Sequence, residues 1–338
     1  MFSFQRPALF AVVAMFAAPA FLSARPTAAD EKEKQPTFTR PAISEEVAPL
    51  EAIAPTARDG HKGVGFLRKP TGKGPFPAVV LLHGGFGGVP AEQVKNIALD
   101  PWATRYLEAG YVVAAITYRK RDADPQSAEA VEDVLAVNEY LRKLPYVDPK
   151  SIVFNGTSGG GDLALSVAAA TDLAAIVPEE PAAFMFTGIL NTRFPKKGDV
   201  YTVADAEPIR ADPKKYYTPE CQKLTRERIA RIKCPILIIQ GDLPTIESFN
   251  KASNTGVYLF NKEITIPELR AAGKTLEVNT YKGEPHSFAF GSPSRRTPRP
   301  AVAYQAFEDV NTFFQKQLPT KPTPIDPRLV KQVPFETK

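Results

Sequence analysis

Gly156-Thr157-Ser158-Gly159-Gly160 is the stretch of this 338-residue chain that decides its fold. It directly follows the short apolar run Ser151–Phe154 and precedes Asp162–Ala170, which is rich in alanine and leucine. A serine on a sharp turn between a strand and a helix needs glycine neighbours, because their small size lets the strand and helix approach while the hydroxyl stays exposed. We therefore predict a strand, a tight turn and a helix, with Ser158 on the turn as the candidate nucleophile.

Short apolar runs on both sides of this stretch predict a largely parallel sheet. Each is too short for a helix and rich in β-branched residues, which is typical of strands buried on both faces. The runs are Ala78–Leu82, Tyr111–Tyr118, Ile152–Phe154, Pro235–Ile239 and, near the end, Leu276–Tyr281. Helical spacing predicts helices at Pro101–Ala109, from Pro125 to Leu144 with Asp124 as the cap, at Ile266–Ala272 and at Ala301–Phe314. Because strands and helices alternate, we expect an α/β fold with helices on both faces of the sheet.

The first 29 residues have the layout of a secretory signal. Arg6 precedes the apolar run Ala8–Ala18, and Pro19 and small residues at Ala24 and Ala29 follow. A membrane anchor is the alternative, but the uncharged stretch is barely long enough to span a bilayer. We expect cleavage after Ala24 or Ala29 and export to the periplasm or the medium, with no membrane attachment afterwards.

The rest of the chain divides by composition. Residues 30–56 are charged and contain prolines, and we interpret them as a linker or arm on the surface. Residues 57–318 form one catalytic domain that starts with an antiparallel hairpin after Asp59-Gly60 and contains an insertion at 182–232. Residues 319–338 are a proline-rich tail.

Composition excludes several classes of partner. The net charge of +5 is the small difference between 42 basic and 37 acidic residues spread along the chain, so nucleic acid is not implied. Cys221 and Cys234 are the two cysteines, and either a disulfide or two buried free thiols fits their spacing. With three histidines in all and no CxxC pair, we predict neither a metal nor a cofactor.

The glycine-rich loop His83-Gly84-Gly85-Phe86-Gly87-Gly88 follows the first core strand. Such a loop can turn its amides inward, and the amides of Gly85, Phe86 and Gly159 are the predicted oxyanion hole. A phosphate-binding loop is the alternative, but the loop has no GK[ST] ending and does not match GxGxxG. We expect His83 itself to be structural.

A serine hydroxyl needs a base to accept its proton. His61 lies in the predicted hairpin before the sheet and His83 in the glycine-rich loop, which leaves His286. His286 follows the last predicted strand, from which a loop can reach the carboxyl ends of the parallel strands. We predict His286 as the base.

A carboxylate between Ser158 and His286 in sequence should orient the imidazole. Asp242 is the preferred candidate, because it directly follows the strand Pro235–Ile239 and Gln240-Gly241. Glu247 lies five residues further on, and Glu179 and Glu180 lie near the end of the preceding strand, so all three remain alternatives.

Together these segments resemble the α/β-hydrolase superfamily, in the branch of dienelactone-hydrolase-like enzymes and the catalytic domain of prolyl-oligopeptidase-like proteins. The resemblance covers about residues 57–318. It rests on Pro77–Gly85, Gly156–Gly160, Pro235–Asp242 and Tyr281–Phe288.

The resemblance implies the catalytic order serine, aspartate, histidine, which Ser158, Asp242 and His286 satisfy. Many relatives carry the acid three residues after the glycine that ends the strand, where this chain has Pro244. Dienelactone hydrolases carry a cysteine in place of Ser158. The expected activity is hydrolysis of a small-molecule carboxylic ester through an acyl-enzyme; a small serine peptidase and a non-catalytic binding protein are the alternatives.

Overall fold

The computed structural model describes residues 38–121, 124–243, 257–289 and 300–334. Within them, strands form an eight-stranded sheet and a separate two-stranded sheet. The strands are β1 (Thr39–Ala42), β2 (Leu50–Ile53), β3 (Gly65–Arg68), β4 (Phe76–Leu82), β5 (Val112–Ile116), β6 (Val147–Thr157), β7 (Ala175–Glu179), β8 (Ile236–Gly241), β9 (Leu276–Tyr281) and β10 (Lys331–Pro334).

The α-helices connect these strands, and several of them lie within the predicted insertion 182–232. They are α1 (Ala91–Leu99), α2 (Pro101–Ala109), α3 (Glu129–Arg142), α4 (Gly159–Ala168), α5 (Ile189–Arg193), α6 (Glu207–Ala211), α7 (Pro213–Tyr216), α8 (Pro219–Arg231), α9 (Tyr258–Phe260), α10 (Ile266–Ala271) and α11 (Pro300–Gln317). A π-helical segment, Asn261–Thr265, joins α9 to α10. Of the described helices, none is long and apolar enough to cross a membrane.

The large sheet has the strand order β2-β3-β5-β4-β6-β7-β8-β9. Strands β4 to β9 pair in parallel, whereas β3 pairs antiparallel with both β2 and β5. The predicted α/β class with a mostly parallel sheet is confirmed. Because parallel strands end at the same edge, the loops after β4, β6, β7 and β8 converge there.

Alternating side chains along the strands supply one hydrophobic core on each face of the sheet. In β4, Val80 and Leu82 point into a core shared with α3, α4 and α8, while Val79 and Leu81 point into a core shared with α1, α2 and α11. This burial on both faces explains why the central strands are continuous apolar runs.

The chain enters the fold earlier and leaves it later than predicted. β2 lies inside the predicted arm 30–56 and is an edge strand of the large sheet. The predicted tail 319–338 contains β10, which pairs antiparallel with β1. Arg68, which is 2% exposed, fastens the arm by donating to the carbonyls of Ile43 and Ala48 at 2.7 and 3.1 Å.

Two local predictions were also wrong. Helix α3 begins at Glu129, because Asp124 accepts the Gln126 amide at 2.9 Å and its carbonyl accepts the Ser127 amide, which makes a turn there. The antiparallel hairpin is formed by β2 and β3, so it starts before Asp59-Gly60, which lies in the connection between its strands, and not after it.

Cys221 and Cys234 are both buried free thiols, so the disulfide alternative is not realised.

Candidate active site

Ser158 lies on a strained turn between β6 and α4. Its φ of 53° and ψ of −113° place a non-glycine residue in a region that L-residues rarely adopt. Surrounding hydrogen bonds hold this conformation: the Ser158 amide donates to the Glu179 carbonyl at 2.9 Å, and its own carbonyl accepts from the amides of Gly161, Asp162 and Ala182. The predicted strand, tight turn and helix are therefore present, with α4 starting at Gly159.

Two glycines allow the backbone of this turn, the elbow Gly156–Gly160, to touch its neighbours. A Cβ atom on Gly159 would overlap the carbonyl oxygen of Gly85, and one on Gly160 would overlap the carbonyls that end β4. A Cβ on Gly84 would lie 3.6 Å from the Cβ of Ser158. The structure therefore brings the glycine-rich loop His83–Gly88, called the oxyanion loop below, directly against Ser158 and against Gly159, the first residue of α4.

Phe86 connects this loop to the insertion. It is 8% exposed, and its ring centroid lies 6.2 Å from that of Phe184 and 5.9 Å from that of Tyr201. Residues of the predicted insertion therefore pack directly beside the oxyanion loop, as expected if they shape the substrate pocket.

His286 lies in the loop that follows β9, and its side chain is 11% exposed. The next residue, Ser287, has a φ of 58°, and its Oγ lies 3.3 Å from the Oγ1 of Thr157, the neighbour of Ser158. The structure therefore places the His286 loop beside the elbow. His61 is exposed in the β2–β3 connection, and the His83 ring is stacked on Tyr118, so neither takes that place.

Glu180 is the carboxylate that lies at the imidazole. Its Oε2 is 3.3 Å from the Nδ1 of His286 and accepts the amide of Ser287, while its Oε1 accepts the amide of Gly241 at 2.8 Å. The residue is 3% exposed and has a φ of 43°. One side chain at the end of β7 therefore contacts the end of β8 and the loop of His286.

Asp242, the carboxylate that the sequence analysis preferred as the acid, binds a backbone amide. Its Oδ1 accepts the amide of Gly283 at 2.6 Å, which ties the end of β8 to the start of the His286 loop. The structure thus places Glu180, not Asp242, against Nδ1 of His286, which is not the arrangement that the preference for Asp242 predicts. Glu247 lies outside the described residues.

Glu179 is fully buried, and its charge influences the pKa of Tyr106. Burial, assisted by the charges of Tyr111 and Glu179, raises the pKa of Tyr106 well above its usual value. Sequence reasoning named Glu180 only as an alternative; the available signal was the position of Glu179-Glu180-Pro181 at the end of the strand beside β6.

Backbone strain is concentrated at these residues. Among the described residues, the non-glycine residues with a positive φ are Ser158, Glu180 and Ser287. Such conformations persist only where the surroundings over-determine them, and they cluster at functional sites. In the part of the chain that the structure describes, no group of three or more His, Cys, Asp or Glu side chains is arranged to hold a metal ion.

Comparisons with known proteins find matches to this chain in sequence and in fold. Residues 66–218 match the family model described as BD-FAE. A curated relative, the quorum-quenching protein AidA of Acinetobacter baumannii (strain MDR-ZJ06), is 32% identical over 124 residues, which are 34% of this chain and 39% of the relative. The chain therefore spans less than half the length of that relative.

Solved structures share the fold at low sequence identity. The puromycin-hydrolyzing peptidase of Mycobacterium tuberculosis superposes with a TM-score of 0.58 at 18% identity, covering 82% of this chain and 41% of that one. The esterase of Pyrobaculum calidifontis gives 0.53 at 19% identity, covering 79% and 85%. A dienelactone hydrolase from Klebsiella pneumoniae, described as putative in its name, gives 0.52 at 16% identity, covering 78% and 97%.

These structures show the fold that the chain shares with them. The chain has the α/β-hydrolase fold, and its resemblance to the dienelactone-hydrolase-like and prolyl-oligopeptidase-like branch of that superfamily is confirmed.

Proposed function

We propose that this protein is a serine hydrolase that cleaves carboxylic esters through Ser158, His286 and Glu180. The observation that carries the proposal is the arrangement at the sheet edge: a strained serine elbow, a histidine loop beside it, and a buried carboxylate 3.3 Å from that histidine's Nδ1. Each member comes from a different loop, which the parallel strands bring to one edge.

The chemistry follows from the roles that such groups take. His286 accepts the proton of Ser158 as the hydroxyl attacks the ester carbonyl, and Glu180 stabilises the imidazolium and keeps the ring oriented. The amides of Gly85, Phe86 and Gly159 stabilise the oxyanion of the tetrahedral intermediate. His286 then protonates the departing alcohol, and water, activated by the same histidine, releases the acid from Ser158.

An ester is the better substrate class because amide cleavage demands a more strongly protonated leaving group and usually a shaped peptide site. The esterase names among the structural neighbours support this choice. A peptidase activity is the second candidate, because the neighbours also include acylaminoacyl and puromycin-hydrolyzing peptidases.

We also propose that the protein is exported, on the basis of Arg6 and the apolar run Ala8–Ala18. Residues 1–37 lie outside the described part of the chain. N-terminal sequencing of the secreted or periplasmic protein should start at Arg25 or Asp30; recovery only of the full-length cytoplasmic chain would refute export.

Ser158 should react covalently with a fluorophosphonate probe, because an activated serine attacks phosphorus as it attacks a carbonyl. Ser158→Ala should abolish labelling, as detected by intact mass. The matched control is Ser166→Ala, which removes a hydroxyl from the same helix. Within the described ranges, that hydroxyl bonds to Asp162 and Arg121. Labelling of Ser158→Ala equal to that of the wild type would rule out this nucleophile.

Glu180→Gln should lower kcat on the order of 10³- to 10⁴-fold, because the imidazolium loses its carboxylate. Removing a negative charge beside His286 should also move the acid limb of the pH–rate profile to lower pH, since the charged imidazole becomes harder to form. Asp242→Asn should change kcat less than about 10-fold, because its carboxylate orients a loop.

In Glu180→Gln, an NH₂ group replaces one carboxylate oxygen and faces a backbone amide that is itself a donor, which costs stability. Thermal unfolding should therefore be measured for both variants. A purely structural role for Glu180 would lower stability without moving the acid limb. A larger kcat loss in Asp242→Asn than in Glu180→Gln would restore Asp242 as the acid.

Short p-nitrophenyl esters should be hydrolysed with kcat/KM at least about 100-fold above that of peptide p-nitroanilides, since the anilide has the poorer leaving group. Parallel assays of wild type and Ser158→Ala separate enzymatic from background hydrolysis. Faster cleavage of the anilides would assign the protein to the peptidases instead.

A further inference from the structure

All four carbonyl groups of the segment His83–Phe86 accept hydrogen bonds from the protein. The hydroxyl of Tyr118 donates to the carbonyls of His83 at 2.8 Å and Gly85 at 3.2 Å. The Nδ1 of His83 lies 2.9 Å from the Gly84 carbonyl, and the Arg121 amide donates to the Phe86 carbonyl at 2.6 Å. The first four residues of the oxyanion loop are therefore each held by their carbonyl oxygen.

Because the peptide group is planar, fixing a carbonyl also fixes the direction of the N–H group of the next residue. In a trans peptide the carbonyl of one residue and the N–H of the next point to opposite sides. Holding the Gly84 carbonyl therefore sets the N–H of Gly85, and holding the Gly85 carbonyl sets that of Phe86. These are the two loop amides of the proposed oxyanion hole, and among the described residues neither donates to a protein acceptor.

The two side chains that hold these carbonyls support each other. The rings of His83 and Tyr118 are stacked with centroids 4.3 Å apart and planes 7° apart, and the residues are 6% and 3% exposed. Because a carbonyl oxygen only accepts, Nδ1 of His83 carries the proton in this bond. The opposite nitrogen, Nε2, is buried and has no hydrogen-bond partner among the described residues, which fits the same neutral tautomer.

The protonation states are stable as well. Burial lowers the pKa of His83, so its ring stays neutral at working pH, and burial raises the pKa of Tyr118 well above its usual value. The hydroxyl therefore keeps its single proton, which the two carbonyls share in a three-centre bond.

We propose that Tyr118 is a positioning residue of the hydrolase: its hydroxyl holds the Gly85 carbonyl and thereby turns the Phe86 amide toward the reacting carbonyl. Its ring also stacks on that of His83, whose Nδ1 holds the Gly84 carbonyl and sets the Gly85 amide. This rests on the proposed function of Ser158. Tyr118 acts through the loop and stays on the far side of it, so its loss affects stabilisation of the transition state more than binding of the ground state.

Tyr118→Phe tests the proposal, because it keeps the ring stack and removes only the hydroxyl. We expect kcat for a p-nitrophenyl ester to fall about 10- to 1,000-fold while KM changes less than about 3-fold. Affinity for an alkyl boronic acid, which forms a tetrahedral adduct with the serine, should fall by a similar factor, since both adduct and transition state need the same amides.

Tyr111→Phe is the matched control. Tyr111 is fully buried, and its hydroxyl donates one bond, at 3.1 Å, to Asn311, outside the site. It should lose stability comparably in thermal unfolding but keep kcat and boronic-acid affinity within about 3-fold of the wild type.

The outcomes separate the two claims. If the wild type is active and Tyr118→Phe matches Tyr111→Phe in kcat and boronic-acid affinity, the positioning role is wrong and the proposed function stands. If KM rises with kcat unchanged, Tyr118 affects substrate binding and the positioning role is again wrong. If Ser158 of the wild type neither hydrolyses esters nor binds the boronic acid, the proposed function fails and this inference fails with it.

Discussion

The rest of the site depends on the contacts that the buried carboxylate of Glu180 makes with two backbone amides and with His286. Its two oxygens accept backbone amides from Gly241 and Ser287 and lie beside the imidazole of His286. One buried charge thereby links the ends of β7 and β8 to the loop that carries the histidine. Burying a carboxylate is costly unless it is hydrogen-bonded, and here backbone amides satisfy it on both oxygens.

Close backbone packing surrounds that carboxylate. A Cβ atom at Gly241 would overlap the carbonyl oxygen of Glu284, just as one at Gly159 would overlap that of Gly85. The strained backbones of Ser158, Glu180 and Ser287 are retained because the two hydrophobic cores fix the strands from which these loops leave. The sheet stabilises the loops, and the loops hold Ser158, Glu180 and Ser287 in place.

Local signals explain what could be predicted from the sequence. The elbow at Ser158, the glycine-rich loop at His83 and the short apolar strands all depend on residues close together in the chain, and each was located correctly. Strands β2 and β10 were missed because edge strands of four residues carry little apolar periodicity. The start of α3 was misplaced because Asp124 caps a turn as readily as a helix.

The carboxylate that lies at His286 could not be predicted in the same way. β7 and β8 are neighbours in the sheet, so a carboxylate after either strand can reach the same edge. Which carboxylate contacts His286 depends on the path of the loop after β9. In this loop the Gly283 amide donates to Asp242, and the Nδ1 of His286 lies beside Glu180. Those are contacts between segments about 40 and about 100 residues apart, which no local pattern encodes.

The most direct measurement is a crystal structure of the protein with a phosphonate attached to Ser158. We expect the phosphonyl oxygen to lie about 2.7–3.1 Å from the amides of the oxyanion loop and Gly159. Glu180 should lie within hydrogen-bonding distance of Nδ1 of His286, with Asp242 still on the Gly283 amide. An imidazole turned toward Asp242 or Glu247, or a phosphonyl oxygen pointing away from the loop, would contradict the account.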